Sequence, residues 1–320
     1  MTFWDRKTVL VTGSSGLIGP YVCKRLLEAG ANVVGYDSNP KGTLPWHGLV
    51  GHLPVMEGSI LDMESLRRVT GGADIVIHLA ALSNVEKTRA AGLMAYEVNV
   101  RGTYMVLEAC LRSKGVQAVV AASSNHIYGP QTKYPTTEDA PFNQLDTYSA
   151  TKAAADILAR SYAHNYGLAV AVIRNTNCFG PCDPHDDHLI GGTIKSLLKG
   201  EKAVIRSKGL TKKAYLHVDD VARAYILAAE WLATKKKSGE AFNVSTSSVS
   251  VVSVVYAICN LMSMPNHYDV LGQANDQQDE HLDSTKAERL LGWKPDFTLA
   301  KALEDTIRWY SEQDGKKDTL

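Results

Sequence analysis

The chain has 320 residues, with 34 Lys and Arg balanced by 34 Asp and Glu, for a formal net charge of zero. That length suits a large domain with a smaller appended one. A neutral balance supplies no global basic field for nucleic acid or an anionic membrane, and Lys235-Lys236-Lys237 reads as a solvated helix end. No cationic leader with an apolar core and no apolar run of about 18 residues is present, so neither a secretory leader nor a membrane span is expected. Five scattered cysteines, an odd number, suit free thiols in a reducing compartment, which makes a cytoplasmic location the expectation.

Val9-Leu10-Val11 is a short apolar run of strand character, and Leu17, Ile18, Tyr21, Val22, Leu26 and Leu27 recur with helical spacing. Between them stand Gly13, Gly16 and Gly19. In a strand–turn–helix unit the first glycine permits a tight turn, the second lets backbone amides approach a pyrophosphate, and the third lets the helix lie close to the strand. The helix then aims its positive end at the phosphates. Ser15, Leu17 and Ile18 belong to the same cofactor loop. A second apolar run over residues 31–36 ends in Asp37 and Ser38, roughly twenty residues on, where a ribose-binding acid is expected. A carboxylate there accepts a bond from a ribose 2′-hydroxyl and repels a 2′-phosphate. This favours NAD over NADP, with Lys41 the nearest downstream cation that could serve a phosphate instead.

A loop rich in Pro, Gly and Lys runs to residue 53, followed by a strand over 55–58 and Ser59-Ile60-Leu61-Asp62. Asp62, with Ile60 and Leu61, is placed for the adenine end of the cofactor. A helix over 63–70 leads to a strand over 73–79, which ends in Leu79-Ala80-Ala81, small residues that let the backbone pass near the cofactor. Ser83 follows at the carboxyl end of that strand, where ligands of open α/β sheets bind, and is a candidate substrate contact. A long helix over about 93–114 carries Asn99, a cofactor candidate, and Thr103. A strand over 118–122 delivers Ser123-Ser124-Asn125-His126, and after a polar loop a second long helix covers 148–166. A strand over 169–173 closes six or seven parallel strands. Such alternation predicts an α/β fold, a Rossmann-type doubly wound parallel sheet of right-handed βαβ units.

Beyond Arg174 the alternation loosens into a smaller C-terminal α/β part. Helices are predicted over 189–199, 221–232, 250–263 and 299–310, with short strands over 203–206 and 242–244. The expected division is 1–174 plus 215–249 for the NAD-binding domain, and 175–214 plus 250–320 for the substrate domain.

Tyr148 and Lys152 are four residues apart and share a helix face, with Ser124 at the end of a neighbouring strand over the same crevice. A phenol titrates near about 10 and is a poor base at neutral pH unless a cation favours the phenolate. Lys152 and an oxidised nicotinamide can both do so. Tyr148 could then take a proton from a substrate hydroxyl as hydride leaves for NAD, while Ser124 bonds the developing carbonyl. On its own the pair reads as an ordinary surface Tyr and Lys; the glycine fingerprint and Ser124 turn it toward catalysis. Cys178, Cys182, His185 and His188 could be imagined as a zinc site. Gly180, Pro181 and Pro184 interrupt that segment and its spacing matches no familiar zinc pattern, so no metal is expected.

The chain resembles the extended short-chain dehydrogenase/reductases, the nucleotide-sugar epimerases and dehydratases. The resemblance rests on Thr12-Gly13-Ser14-Ser15-Gly16-Leu17-Ile18-Gly19, His78-Leu79-Ala80-Ala81, Asn99-Val100-Arg101-Gly102-Thr103, Ser123-Ser124 to Tyr128-Gly129, and Tyr148-Ser149-Ala150-Thr151-Lys152. It implies tightly held NAD, a nucleotide-diphosphate sugar and transient oxidation at sugar C4. It also implies a homodimer, with the two long helices pairing into a four-helix bundle. Arg174-Asn175-Thr176-Asn177-Cys178-Phe179-Gly180-Pro181 resembles the family's Arg-x-x-Asn-x-Tyr-Gly-Pro, in which Asn177 would contact the sugar diphosphate, with Leu189 a further substrate contact. Lys213 stands where such enzymes usually have a diphosphate-binding Arg, keeping the charge without the bidentate geometry. No counterpart to a second such Arg is found near residues 273–278.

Phe3-Trp4, Asp187-His188-Leu189-Ile190 to Arg206, and Leu282-Asp283-Ser284-Thr285-Lys286 to Trp309-Tyr310 are similar to the CDP-glucose 4,6-dehydratase branch. Dehydratases of the family generally carry an acid directly after the Ser or Thr, whereas here Asn125, an amide, holds that position. His126 follows it and would suit proton removal at C5. Epimerases need only Ser124, Tyr148, Lys152 and a ketone free to turn over, which puts 4-epimerisation slightly ahead of 4,6-dehydration. Ser-Asn-His after this strand also resembles uronate dehydrogenases, which release NADH and a lactone. An NAD-binding scaffold without catalysis is the reading outside the enzymes.

Overall fold

The structure, a computed structural model, describes residues 2–143, 146–185, 187–235, 238–273 and 279–317. Lys236 and Lys237 of the lysine run, and residues 274–278 of the segment searched for a second Arg, lie outside the described residues. The first half alternates β1 (Thr8–Thr12), α1 (Gly19–Glu28), β2 (Asn32–Asp37), β3 (Val55–Glu57), α2 (Met63–Thr70) and β4 (Ile75–His78). It continues with α3 (Val85–Ala91), α4 (Leu93–Tyr96), α5 (Gly102–Arg112), β5 (Ala118–Ala122), α6 (Thr147–Tyr166) and β6 (Val170–Asn175). The second half comprises β7 (Asn177–Phe179), α7 (Leu189–Leu198), β8 (Ala203–Ile205), β9 (Lys212–His217), α8 (Val218–Lys235) and β10 (Glu240–Val244). It ends with β11 (Ser248–Ser250), α9 (Val251–Leu261), β12 (Tyr268–Val270), α10 (Thr285–Leu291) and α11 (Leu299–Lys317).

Seven strands form one sheet in the order β10-β6-β5-β4-β1-β2-β3, and every pairing in it is parallel. Strands covered on both faces read as continuous apolar runs, as Val9-Leu10-Val11 and Ile75-Val76-Ile77 do. Val9 and Val11 face α1 and α8, whereas Leu10 faces α2 and α5, so alternate residues of one strand feed two separate cores. The chain order reverses between β1 and β4, and ligands of such sheets sit at that switch point, beyond the carboxyl ends of the strands. Two smaller sheets, β11-β9-β7 and β12-β8, lie outside the main one, and a third core gathers around α7, α9 and α11. Among the described residues, no helix is long and apolar enough to cross a membrane.

The helix predicted over 93–114 runs from Leu93 to Arg112, with its winding widened part-way along. α3 precedes it, Gly92 separates α3 from α4 at a φ of +53°, and residues Glu97–Arg101 form a wide π-type turn before α5. The helix predicted over 221–232 is longer at both ends, Val218–Lys235, and follows directly on β9. The short strands β7, β11 and β12 and the helix α10 were not anticipated, because each is held by partners distant in sequence rather than by its own periodicity.

Candidate active site

The glycine loop is built as its spacing demands. Gly13 has a φ of +71°, and a Cβ there would lie 2.6 Å from the Ala80 nitrogen at the end of β4. A Cβ on Gly19 would meet the Gly13 carbonyl oxygen at 2.3 Å, so strand and helix touch through bare backbone. Gly16 differs, since its Cβ would find only the Gly13 oxygen at 3.5 Å, an ordinary contact. α1 starts at Ile18 without a side-chain cap, which leaves its first amides for an anion. The Ser15 and Ser123 hydroxyls are buried without partners. The Ser15 hydroxyl and the uncapped amides of α1 fit a dinucleotide pyrophosphate, with Leu17 and Ile18 half-buried in the same loop.

Thr43, which the sequence did not single out, latches the loop from outside: its amide donates to the Ser15 carbonyl at 2.9 Å and its hydroxyl to the Gly16 carbonyl at 2.7 Å. Asp37 ends β2 beside the loop and accepts from the Ser15 and Asn39 amides, both at 2.9 Å, while Ser38 is exposed. Ile60 is buried and Leu61 half-buried, and Asp62 caps α2 through one carboxylate oxygen, Oδ1, which accepts from the Glu64 and Ser65 amides. Leu79, Ala80 and Ala81 lie half-buried after β4. Asn99 sits in the wide turn with its amide committed within the protein. It accepts from the Leu82 amide at 2.8 Å and donates to the Leu82 carbonyl and the Thr151 hydroxyl, both at 3.0 Å. It therefore holds the loop after β4 against α6.

β5 delivers Ser124 as the cap of a short 3-10 turn, its oxygen accepting from the His126 amide at 3.2 Å. α6 begins at Asp146, which accepts from the Ser149 amide, so Tyr148 and Lys152 fall on successive turns facing Ser124. Burial holds the Tyr148 phenol above its usual range, opposed by its hydrogen bond with Ser124. Burial pushes the Lys152 ammonium down to about 8, opposed by the Asp156 carboxylate one turn on, and its Nζ donates to the Ala122 carbonyl at 2.7 Å. Asn125 is buried, and the His126 ring stands edge-on to Tyr148 with centroids 5.6 Å apart. Burial also keeps His126 below the usual imidazole range, with Glu280 pulling it up and Lys213 pushing it down.

On the far wall, Asn177 on β7 donates to Glu280 at 2.7 Å, and Lys213 on β9 pairs with the same carboxylate at 3.2 Å. Sequence reading missed Glu280, since it meets these residues only through the pairing of β7 with β9 and its own amide's bond to the Lys212 carbonyl at 2.8 Å. Ser83 is exposed at the crevice lip, and Leu189 opens α7 against the third core. Beneath the site, Arg174 is fully buried and grips Asp156 through two bonds of 2.8 and 2.9 Å while donating to the Tyr128 hydroxyl at 2.7 Å. Among the described residues, Cys178 and Cys182 gather with no other potential metal ligands, and burial holds the Cys178 thiol well above its usual range and pushes Cys182 up to about 12.

The family model for NAD dependent epimerase/dehydratases matches residues 9–245. The chain belongs to that family. A dTDP-glucose 4,6-dehydratase of Streptomyces griseus is 30% identical over 94% of this chain and 93% of its own length. A UDP-glucose 4-epimerase of Mycolicibacterium smegmatis is 31% identical over 94% of this chain and 97% of its own length. Among solved structures, UDP-glucose 4-epimerase with UDP-glucose from Thermotoga maritima superposes with a TM-score of 0.88 at 27% identity, covering 96% of this chain and 99% of that one. As an epimerase/dehydratase family enzyme, the protein uses NAD.

Proposed function

We propose that the protein interconverts C4 epimers of a nucleotide-diphosphate hexose by transient oxidation at C4. NAD, when bound, would supply the hydride-transfer chemistry. Tyr148 takes the proton of the sugar hydroxyl, Lys152 favours the phenolate, and Ser124 bonds the oxygen that becomes a carbonyl. Gly13, Ser15, Gly16, Leu17, Ile18, Gly19, Asp37, Ser38, Ile60, Leu61, Asp62, Leu79, Ala80 and Ala81 line the cofactor side, and Asn99 positions rather than touches it. Ser83, Asn125, His126, Asn177, Leu189 and Lys213 line the sugar-nucleotide side.

The observation that carries epimerisation over 4,6-dehydration is Asn125, a buried amide at the position next to Ser124 where a dehydratase needs an acid. Glu280 does not replace that acid, since its carboxylate is already engaged by Asn177 and Lys213, which both donate to it. Dehydration remains the second reading because neutral His126, beside Tyr148, suits proton removal at C5. Net oxidation by a uronate-dehydrogenase-like route is the third.

Residues 1–174 with 215–249 would hold NAD, and 175–214 with 250–320 the sugar nucleotide, with Ala287, Leu291 and Trp293 of the latter packing onto the first core. Exposed Leu93, Met94, Tyr96, Tyr104, Ile157 and Tyr166 on α4, α5 and α6 support a homodimer through a four-helix bundle. Five unpaired cysteines support a cytoplasmic setting. The test incubates purified protein with UDP-, GDP-, CDP- and dTDP-hexoses and follows products by NMR. A C4 epimer supports the reading, a 6-deoxy-4-ketosugar the second, and stoichiometric NADH the third. Tyr148→Phe should lower turnover about 10²- to 10⁴-fold.

A further inference from the structure

We propose that His185, Asp187 and His188, between β7 and α7, form a binding site for one divalent transition-metal ion. One ligand atom from each lies within 4.8 Å of the others, and the two imidazole rings are 4.6 Å apart. Ligands of a tetrahedral ion at 2.0–2.1 Å stand about 3.3 Å from one another, so side-chain adjustment alone closes the set. Two imidazoles and a carboxylate suit zinc and its neighbours rather than calcium or magnesium, and three protein ligands leave a position for water or another oxygen.

What separates this cluster from a chance gathering is the second layer behind it. Asp183, only 4% exposed, bonds His188 Nδ1 at 2.7 Å and so fixes the ring with Nε2 free to ligate. The other Asp183 oxygen accepts from the His185 amide at 3.0 Å, so one buried carboxylate orients both histidine positions. Asn84, buried at the start of α3, donates to Asp187 and holds that carboxylate toward the group. His185 Nδ1 is buried without any hydrogen-bond partner, a donor or acceptor left for a ligand. Carboxylate-oriented imidazoles are how metal sites fix ring orientation and raise ligand basicity. The expectation of no metal from sequence weighed the cysteines with the histidines; the structure removes the cysteines and supplies Asp187 in their place. The site bridges the loop after β4 to the start of α7, next to Ser83 and Leu189 at the crevice lip.

The test uses full-length protein treated with chelator, titrated with Zn²⁺ by calorimetry and with Co²⁺ by visible absorption. One ion per chain with micromolar or tighter affinity is expected, with His185→Ala, His188→Ala and Asp187→Asn each abolishing the Co²⁺ bands. Asp183→Asn should weaken binding by about tenfold or more. His164→Ala, an exposed histidine on α6, should leave binding unchanged. Absence of stoichiometric binding, or binding that survives Asp187→Asn and His188→Ala alike, overturns the proposal. Asp187 is exposed, so its variant decides the matter even if a histidine variant folds poorly. These readouts do not depend on the sugar reaction.

Discussion

Replacing each of the three loop glycines by alanine should divide them into two kinds. At Gly13 the φ of +71° costs an L-residue about 1–2 kcal/mol. Forcing a methyl to within 2.6 Å of the Ala80 nitrogen adds about 1–3 kcal/mol, giving about 2–5 kcal/mol in all. Gly19 is helical, so alanine gains back about 1 kcal/mol of propensity there. Its methyl nevertheless meets the Gly13 oxygen at 2.3 Å and the Ser14 Cα at 2.7 Å, backbone that cannot rotate aside. Net destabilisation again follows, by about 1–3 kcal/mol. Gly16→Ala meets only an ordinary contact at 3.5 Å, so its stability should change by less than about 0.5 kcal/mol. The new methyl occupies the side the pyrophosphate must approach, and NAD affinity should fall at least about tenfold, 1.4 kcal/mol. Urea unfolding without cofactor and calorimetric titration with NAD read the two effects separately. A Gly16→Ala protein that binds NAD like the parent, or a Gly13→Ala protein as stable as the parent, refutes this division of labour.

Three further outcomes follow from the site and its supports. Lys152 is charged below about 8 and loses its proton above, so the stabilisation it gives the phenolate is present below that value and lost as pH rises through it. An alkaline limb near pH 8 in kcat/KM should move upward in Lys152→Arg, and an unmoved limb would show that another group sets it. Asp156→Ala leaves the Arg174 guanidinium buried and unpaired, which should cost about 3–5 kcal/mol in urea unfolding; a loss under about 1 kcal/mol would mean Tyr128 and the Glu138 carbonyl suffice to hold it. Leu93→Glu combined with Ile157→Glu should yield monomers in sedimentation analysis, and an unchanged assembly would place the interface elsewhere.

Much of this was legible in the sequence because it is local. Gly13, Gly16 and Gly19 must lie between one strand and one helix, and a four-residue spacing must put Tyr148 and Lys152 on one face. β5 and α2 are found at their expected bounds, Ala118–Ala122 and Met63–Thr70, since a strand rich in Val and a capped amphipathic helix each announce themselves. What failed was non-local or without signature. Glu280 reaches Asn177 across 103 residues, and no spacing rule connects them. The second role of Asp62, capping α2 through one oxygen, was not read from the sequence. The bonds that Asn99 makes to Leu82 and Thr151 likewise join positions that no spacing rule connects.

The wide turn at Glu97–Arg101 makes the chain's length here a matter of phase. A helix advances about 100° per residue, so removing one residue from the turn would restore regular winding and swing everything before it by nearly a third of a revolution relative to α5. Asn99 would leave Leu82, and exposed Leu93, Met94 and Tyr96 would sweep away from the direction shared with Tyr104. Although much of this surface is exposed, it should therefore tolerate substitutions far better than any single-residue insertion or deletion. The loop beside the crevice and the outer face would go out of step together.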